Sequence, residues 1–240
     1  MAKSFLQFSL KSDETIVRNI RNTADIKPFG RTNVAMRLLA VNRYVKECPF
    51  LGGFMSFKIE GKLINLCPTV LADIKDYERW NNPNMKAWQY DGPWYNDDLS
   101  ALIAGRKKWI EEGGKTPYRF LEIETKKGKH IGWVTVYHKK DDPHLTEVGI
   151  GIVEDTLWSK GLGTEAFSLW IDYLFLEREL TRIGFTTWEG NKRMIRVGEK
   201  LGFTEEARIR KSCFVNGVFY DRIKMGILRE EWELRKRPSG

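Results

Sequence analysis

The stretch TLWSKGLGTEAF, residues 156–167, decides how the rest of this sequence is interpreted. Two glycines, Gly161 and Gly163, stand between a basic residue and a run that is typical of a helix. Glycine weakens the start of a helix unless the backbone must approach another group closely. Backbone N–H groups at a helix start bind anions, helped by the helix dipole. The stretch therefore predicts a phosphate-binding loop, to which Lys160 adds a charge and Thr164 a hydroxyl; the alternative is a tight turn with no ligand.

Two other phosphate-binding motifs fit this sequence less well. GLGTEA, residues 161–166, matches the dinucleotide fingerprint G-x-G-x-x-A in its letters. In that fold a strand turns directly into the glycines, whereas the strand expected here ends several residues upstream. Only the last third of the chain follows Gly163, which is too little for the rest of such a sheet. The P-loop pattern G-x-x-x-x-G-K-[ST] is absent from the sequence.

Hydrophobic periodicity predicts a mixed α/β chain with the element order β-α-α-β-β-β-α-β-α-β-β in its main part. Helices are expected over 12–24 and 33–47 in the N-terminal part, then over 69–80, 99–112 and from Leu162 to about Arg178, with a short helix after Asn191. Strands are expected over 57–66, 118–125, 130–138, 145–154, 181–189, 203–210 and 218–228. The turn VNGV, residues 215–218, lies between the last two strands, and Asn191 is expected to cap the short helix that follows it.

The net charge of +8 is distributed unevenly along the chain. Residues 1–54 carry nine Lys and Arg against four Asp and Glu. This asymmetry predicts a basic, helical N-terminal extension over 1–54, followed by a main domain over 55–240. Such an extension suits an acidic partner such as RNA or a ribosome surface. The alternative is a solvated helical extension without a partner.

Cysteine and histidine usage excludes several classes of site. The three cysteines are odd in number and far apart, which argues against a disulfide framework and a zinc site and favours reduced thiols in a cytoplasmic protein. The histidines are too widely spaced for a helical metal pair, so no metal is expected. No apolar run approaches the roughly 20 residues of a membrane span, and no signal peptide is recognised. The residues concerned are Cys48, Cys67, Cys213, His130, His138 and His144.

Three segments resemble the GNAT superfamily of N-acetyltransferases, in the branch with the ribosomal-protein-alanine (Rim-type) and spermidine acetyltransferases. LTEVGIGIVEDTLWSKGLGTEAFSLWIDYLF (145–175) resembles the acetyl-CoA-binding core, NKRMIRVGEKLGFTEEARIR (191–210) the following helix and strand, and VNGVFYDRIKMGILREEW (215–232) the terminal hairpin. The likeness covers about residues 57–233. It implies the GNAT fold, a central, twisted, mostly antiparallel sheet of about seven strands flanked by helices.

The resemblance also implies which residues bind acetyl-CoA as co-substrate. The backbone of 149–152 would pair with the pantetheine arm, the N–H groups of 159–164 would hold the pyrophosphate, and Asn191 would bond the cofactor near its thioester. Trp158 stands where the family signature Q/R-x-x-G-x-G/A has Gln or Arg. Lys160, Arg193 and Arg196 are candidates for the outer phosphates, with plain surface charge as the alternative. The implied set is Gly149, Ile150, Gly151, Ile152, Trp158, Ser159, Lys160, Gly161, Leu162, Gly163, Thr164, Asn191 and Arg193.

Acetyl transfer to an amine needs a group that accepts a proton. Glu147 is the candidate base, because the two-residue period of a strand places it on one face with Gly149 and Gly151; a purely structural carboxylate is the alternative. Gly198 stands where many GNAT enzymes have a tyrosine acid. A thiol with a pKa of about 8.5 leaves without a dedicated acid, and Tyr173, Tyr220 or water could also serve.

The acceptor site is expected in residues 71–98, which hold six Asp and Glu against three Lys and Arg, together with several aromatic residues. Acids beside aromatic rings suit a cationic amine, such as a peptide N-terminus or a small-molecule amine. The candidate contacts are Trp80, Trp88 and Tyr90, unless these rings only fill the core. A polyamine ranks second among the acceptors. The second functional hypothesis is a non-catalytic acetyl-CoA-binding sensor or partner-binding module, and the third is nucleic-acid binding by the basic extension. A homodimer is left open.

Overall fold

The computed structural model describes residues 45–48, 56–94, 99–114, 119–139 and 142–236. All of these belong to one compact unit, Val41–Gly240. The helices expected over 12–24 and 33–44 lie outside the described residues. The basic extension and its acidic partner therefore stay predictions.

The described strands form one nine-stranded sheet. Their bounds are β1 Val45–Cys48, β2 Ser56–Glu60, β3 Ile64–Cys67, β4 Phe120–Thr125, β5 His130–Lys139, β6 Asp142–Ile152, β7 Arg182–Trp188, β8 Thr204–Val215 and β9 Val218–Leu228. The spatial order is β1-β2-β3-β4-β5-β6-β7-β9-β8. Neighbouring strands run antiparallel except β6 and β7, which run parallel. The predicted mixed, mostly antiparallel architecture is confirmed.

Six α-helices accompany the sheet in the described part of the chain: α1 Ile74–Trp80, α2 Trp88–Asp91, α3 Ser100–Glu111, α4 Leu162–Glu177, α5 Lys192–Lys200 and α6 Arg229–Arg235. Single 3-10 turns lie at Leu71–Asp73, Gly92–Trp94 and Asp155–Leu157. The main core lies between the sheet and α4, which buries Phe167, Trp170, Ile171 and Leu174. No described helix is both long and apolar enough to cross a membrane.

The strand expected over 57–66 is in fact a hairpin of β2 and β3, which is one reason why the sheet exceeds seven strands. The turn lacks a typical pair of turn residues, so the alternating pattern continues through it. Its backbone is instead held by Glu165 of α4, whose carboxylate accepts N–H bonds from Lys62 (2.7 Å), Leu63 (2.7 Å) and Ile64 (3.0 Å). The turn is therefore stabilised by a contact with α4, which lies about a hundred residues later in the sequence.

β1 is the other strand that the periodicity did not predict. Residues 45–47 were expected to end a helix, but Val45–Cys48 pairs antiparallel with β2, from Val45 opposite Ile59 to Cys48 opposite Ser56. Pairing with the edge of β2 satisfies backbone groups of this segment, and this outweighs its helical hydrophobic spacing.

Candidate active site

The parallel strands β6 and β7 diverge after a single paired position, Glu147 opposite Gly184. Beyond it, the residues 148–152 of β6 pair with β5 on one side only. The gap between the two strands opens into a cleft of about 780 Å³. It is lined by β6, the loop before α4, the start of α4, the end of β7 and the exposed side of α5. A strand edge with free backbone groups and the N-terminus of a helix thus face the same space.

The loop between β6 and α4 gives its two glycines different roles. Gly161 is the N-cap of α4 with φ +83°, a left-handed conformation that disfavours any side chain. Gly163 has no such conformation, and a Cβ atom added to it would lie 3.5 Å from Ile152 Cδ1, an ordinary contact. The fold itself therefore does not require Gly163. Its missing side chain leaves room in the cleft.

The structure brings the predicted cofactor residues together. All members of the set line the cleft except Lys160, whose side chain is exposed on the loop outside it. Arg196 of α5 also lines the cleft. Two arginines, one strand edge and one helix N-terminus thus converge on one cavity, as the cofactor assignment requires.

Trp158, the departure from the family signature, ties the loop to the sheet. Its Nε1–H donates to the carbonyl of Ile152 over 2.8 Å. The Arg193 guanidinium lies 4.6 Å from the ring centre of Tyr90 and 4.7 Å from that of Trp158, and the two rings meet edge to face at 5.4 Å. This cation–aromatic cluster joins α2, the loop and α5 at one end of the cleft.

Asn191 uses both ends of its side-chain amide inside the protein. Its Oδ1 accepts the N–H of Met194 over 3.1 Å, which caps α5 as predicted. Its Nδ2 donates to the carbonyl of Tyr90 over 3.1 Å, an oxygen that also accepts the Trp188 Nε1–H over 2.8 Å. The amide nitrogen carries a second N–H, so a bond to a cofactor would not require the loss of its bond to Tyr90.

Glu147 lies in the cleft on the same face of β6 as Gly149 and Gly151. Both of its carboxylate oxygens are 3.0 Å from the hydroxyl of Thr186, which donates to them. The ammonium of Lys224 is 3.8 Å from Oε1. Its carboxylate is therefore already held by a hydroxyl and a positive charge.

Two residues of the cleft were not predicted from the sequence as site residues. Asp91, the last residue of α2, lies in the cleft, and desolvation by the surrounding protein raises its pKa to about 6. Tyr137 on β5 lies there too, and its pKa is raised by desolvation and by the charge of Asp91. The only signal for Asp91 was the acidic and aromatic character of residues 71–98, which did not single it out.

The proposed acceptor contacts separate into two groups. Trp88 and Tyr90 line the cleft, and the Trp88 Nε1–H donates to the carbonyl of Trp80 over 3.2 Å. Trp80 is wrong as a substrate contact, because its side chain has no exposed surface and packs in a second core cluster with Tyr77. The helical spacing of α1 turns Trp80 inward.

The absence of a tyrosine at position 198 has a packing reason. Gly198 is buried on α5, and a Cβ atom there would lie 2.7 Å from Phe185 Cζ and 2.9 Å from Met225 Sδ. Neither of the other candidate acids lines the cleft, since Tyr173 stacks on Trp170 and Tyr220 packs against Trp188.

Comparison with known proteins agrees with this geometry. The family model described as acetyltransferase (GNAT) domain matches residues 64–204, more than half of the chain. The probable N-acetyltransferase YjcK of Bacillus subtilis (strain 168) is 40% identical over 180 residues, which cover 73% of this chain and 99% of that protein. The SPbeta prophage-derived uncharacterized N-acetyltransferase YokL of the same strain is 31% identical over 129 residues, covering 53% and 72%. The solved spermidine N-acetyltransferase of Vibrio cholerae in complex with CoA and spermine shares the fold, with a TM-score of 0.59, 22% identity and coverage of 72% and 99%.

Proposed function

Because the chain belongs to the GNAT family of acetyltransferases, we propose that it moves the acetyl group of acetyl-CoA to a primary amine within a ternary complex. The observation that carries this proposal is the single cleft between β6 and β7. It presents an anion-binding helix start and a free strand edge together with a pair of carboxylates.

The groups that would hold the cofactor fit its chemistry. The free edge of β6 over 149–152 suits the amides of a pantetheine arm, and the N–H groups of 159–164 suit a pyrophosphate. A side chain at position 163 would occupy part of the cleft beside these N–H groups, which supports the placement of the phosphates there. Arg193 and Arg196 supply positive charge for the outer phosphates. When bound, the cofactor supplies a thioester-activated acetyl group.

The carboxylate groups of the cleft suit an amine that arrives as a cation. A primary amine with a pKa of about 10.4 is mostly protonated at neutral pH, so it must lose a proton before it attacks. Glu147 is already engaged by Thr186 and Lys224. We assign to it the placement of the ammonium, with Trp88 and Tyr90 as neighbouring walls.

The leaving thiolate needs little help from the protein. A free thiol has a pKa of about 8.5, so the sulfur departs without a strong acid beside it. This agrees with the packing at Gly198, which leaves no space for a tyrosine.

A direct assay tests the proposal. The full chain is incubated with acetyl-CoA and with peptides bearing free N-termini, spermidine or amino sugars, and free thiol and product mass are measured. We expect turnover on at least one primary amine, and none on the same peptide with an acetylated N-terminus. Acetyl-CoA binding by calorimetry without turnover on any amine would contradict the enzymatic proposal and favour a non-catalytic sensor.

A further inference from the structure

The segment that carries Asp91 is fixed across the cleft on both sides of this residue. The carbonyl of Tyr90 accepts two side-chain bonds, from Trp188 (2.8 Å) and Asn191 (3.1 Å). Gly92 has φ +58°, and a Cβ atom on it would lie 2.4 Å from Trp188 Nε1, so no other residue fits there. The backbone that carries Asp91 is therefore anchored beside the cleft, and its side chain lines that cleft.

The carboxylate of Asp91 has no counter-charge of its own. Within the described ranges, no hydrogen bond or ion pair to it is found, whereas Glu147 is held by Thr186 and Lys224. The other titratable and charged groups that line the cleft are Tyr90 of α2, Tyr137 of β5 and, on α5, Arg193, Arg196 and Lys200.

Isolation of this kind favours proton uptake. The side chain stays reachable from the cleft, but the surrounding protein removes part of its water, which penalises the charged form and raises the pKa to about 6. A carboxylate with a raised pKa is a stronger base than an ordinary one and is still ionised at neutral pH. Glu147, bound by a hydroxyl and an ammonium, has less capacity to accept a proton.

We propose that Asp91 is the proton acceptor of this reaction and that Glu147 positions the amine beside it. The proposal rests on the acetyltransferase function proposed above. Asp91 takes one proton from the acceptor ammonium, and the freed lone pair forms the nitrogen–carbon bond to the acetyl group as the carbon–sulfur bond breaks. A second proton from the same nitrogen goes to the departing sulfur, and Asp91 then releases to water the proton that it took from the ammonium. The acceptor class is a primary alkylammonium.

The first test is the pH dependence of kcat/KM for the amine with the highest turnover in the panel. The wild type should lose activity about tenfold per pH unit below the Asp91 pKa of about 6. Asp91→Asn should lower kcat/KM by roughly 10²–10⁴-fold and remove this acidic limb. Asp91→Glu should restore part of the rate and a shifted limb, while Glu147→Gln should mainly raise KM and keep the limb. Asp221→Asn, the same change outside the cleft, should leave the profile intact.

A second measurement does not depend on turnover. Carboxyl-labelled aspartate is followed by ¹³C NMR, and the signal missing in Asp91→Asn identifies Asp91. A titration midpoint of about 6 is expected, and a midpoint near the ordinary value of about 3.9 would overturn the proposal.

The failures are distinguishable from one another. An acidic limb that persists in Asp91→Asn overturns only the role of Asp91. No turnover by the wild type on any amine overturns the proposed function, and this assignment with it.

Discussion

Two carboxylates in this protein, the buried Glu122 and the cleft-facing Asp91, have pKa values that their environments shift in opposite directions. Glu122 of β4 is 2% exposed and accepts bonds from Tyr77 Oη (2.6 Å) and the hydroxyl of Thr69. Arg106 Nε lies 3.2 Å from Glu122 Oε1, the oxygen that also accepts the bond from Thr69. Asp91 opens into the cleft and has no such partner within the described part of the chain.

The pKa values follow the partners and not the depth of burial. Burial pushes the pKa of Glu122 upward, but the hydrogen bond from His130 and the charges of Arg106 and His130 lower it overall. Burial alone acts on Asp91, and its pKa rises to about 6. A carboxylate that accepts several hydrogen bonds is stabilised in its charged form, whereas a desolvated carboxylate without hydrogen-bond donors takes up a proton more readily.

The cluster around Glu122 also joins the helices to the sheet. His130 of β5 lies 3.2 Å from Glu122 Oε2 and, with its other ring nitrogen, 3.2 Å from Asp76 of α1. Arg106 belongs to α3 and is only 6% exposed. The helices α1 and α3 are thus attached to β4 and β5 through this charged cluster.

Replacement of Glu122 should have the largest effect. Glu122→Ala leaves the buried Arg106 without this counter-charge and removes one of the carboxylates beside His130, which keeps Asp76, so we expect a loss of about 3–5 kcal/mol in the free energy of unfolding. Urea denaturation measures this. Glu112→Ala, which removes an exposed carboxylate 3.8 Å from Lys108, should cost less than about 1 kcal/mol.

Asp91→Asn in the same experiment sharpens the contrast. Its unfolding free energy should equal or slightly exceed that of the wild type, because a charge without partners is removed. Similar losses in Glu122→Ala and Asp91→Asn would show that the two sites do not differ.

The pH dependence of stability should come next in size. Burial lowers the pKa of His130, but the hydrogen bond that its ring donates to Glu122 and the charges of the nearby carboxylates outweigh this and raise the pKa above 6.5. Its stabilising contribution is therefore complete below pH 6.5 and is lost as the pH rises through the folded-state pKa, with a slope of at most about 1.4 kcal/mol per pH unit. Denaturant melts of the wild type and His130→Gln should show a flatter profile for the variant above pH 6.5; parallel profiles would argue against a charged His130.

The two loop glycines test whether the cleft is shaped for a ligand. Gly163→Val should weaken acetyl-CoA binding at least about tenfold, equivalent to about 1.4 kcal/mol, with little change in stability. Gly161→Ala should instead lower stability by roughly 1 kcal/mol, because its φ of +83° suits only glycine. Calorimetry and denaturation measure both quantities. Unchanged affinity in Gly163→Val would remove the phosphate-binding role of the loop.

The smallest effect is expected at Trp158. Trp158→Phe keeps the ring but loses the bond to the Ile152 carbonyl, which should cost about 0.5–1 kcal/mol at this half-buried position. Trp170→Phe removes the matching bond to the Thr135 carbonyl (3.0 Å) from a fully buried ring, so it should cost more. The reverse order, measured by urea denaturation, would contradict this ranking.

The sequence predicted the features that depend on nearby residues. The loop of α4 with Gly161, the cap of α5 by Asn191 and the turn at Asn216 and Gly217 all formed as expected, because each is a local arrangement of donors, acceptors and positive φ angles. The period of two likewise placed Glu147 on the cleft face of β6. The family likeness then linked these pieces into one fold.

Other parts of the site depended on contacts between residues far apart in the chain. Asp91 gains its position from Trp188 and Asn191, about a hundred residues later, and the turn between β2 and β3 depends on Glu165 in the same way.

By itself, then, the sequence determined most of the sheet and helix pattern apart from β1 and the hairpin of β2 and β3, together with the loop that faces the cleft and with the family. Only the tertiary structure decided which carboxylate is held by partners and which is not. The reason is physical. The pKa of a side chain depends on the water and charges around it, and folding brings those charges together from segments that lie far apart in the sequence.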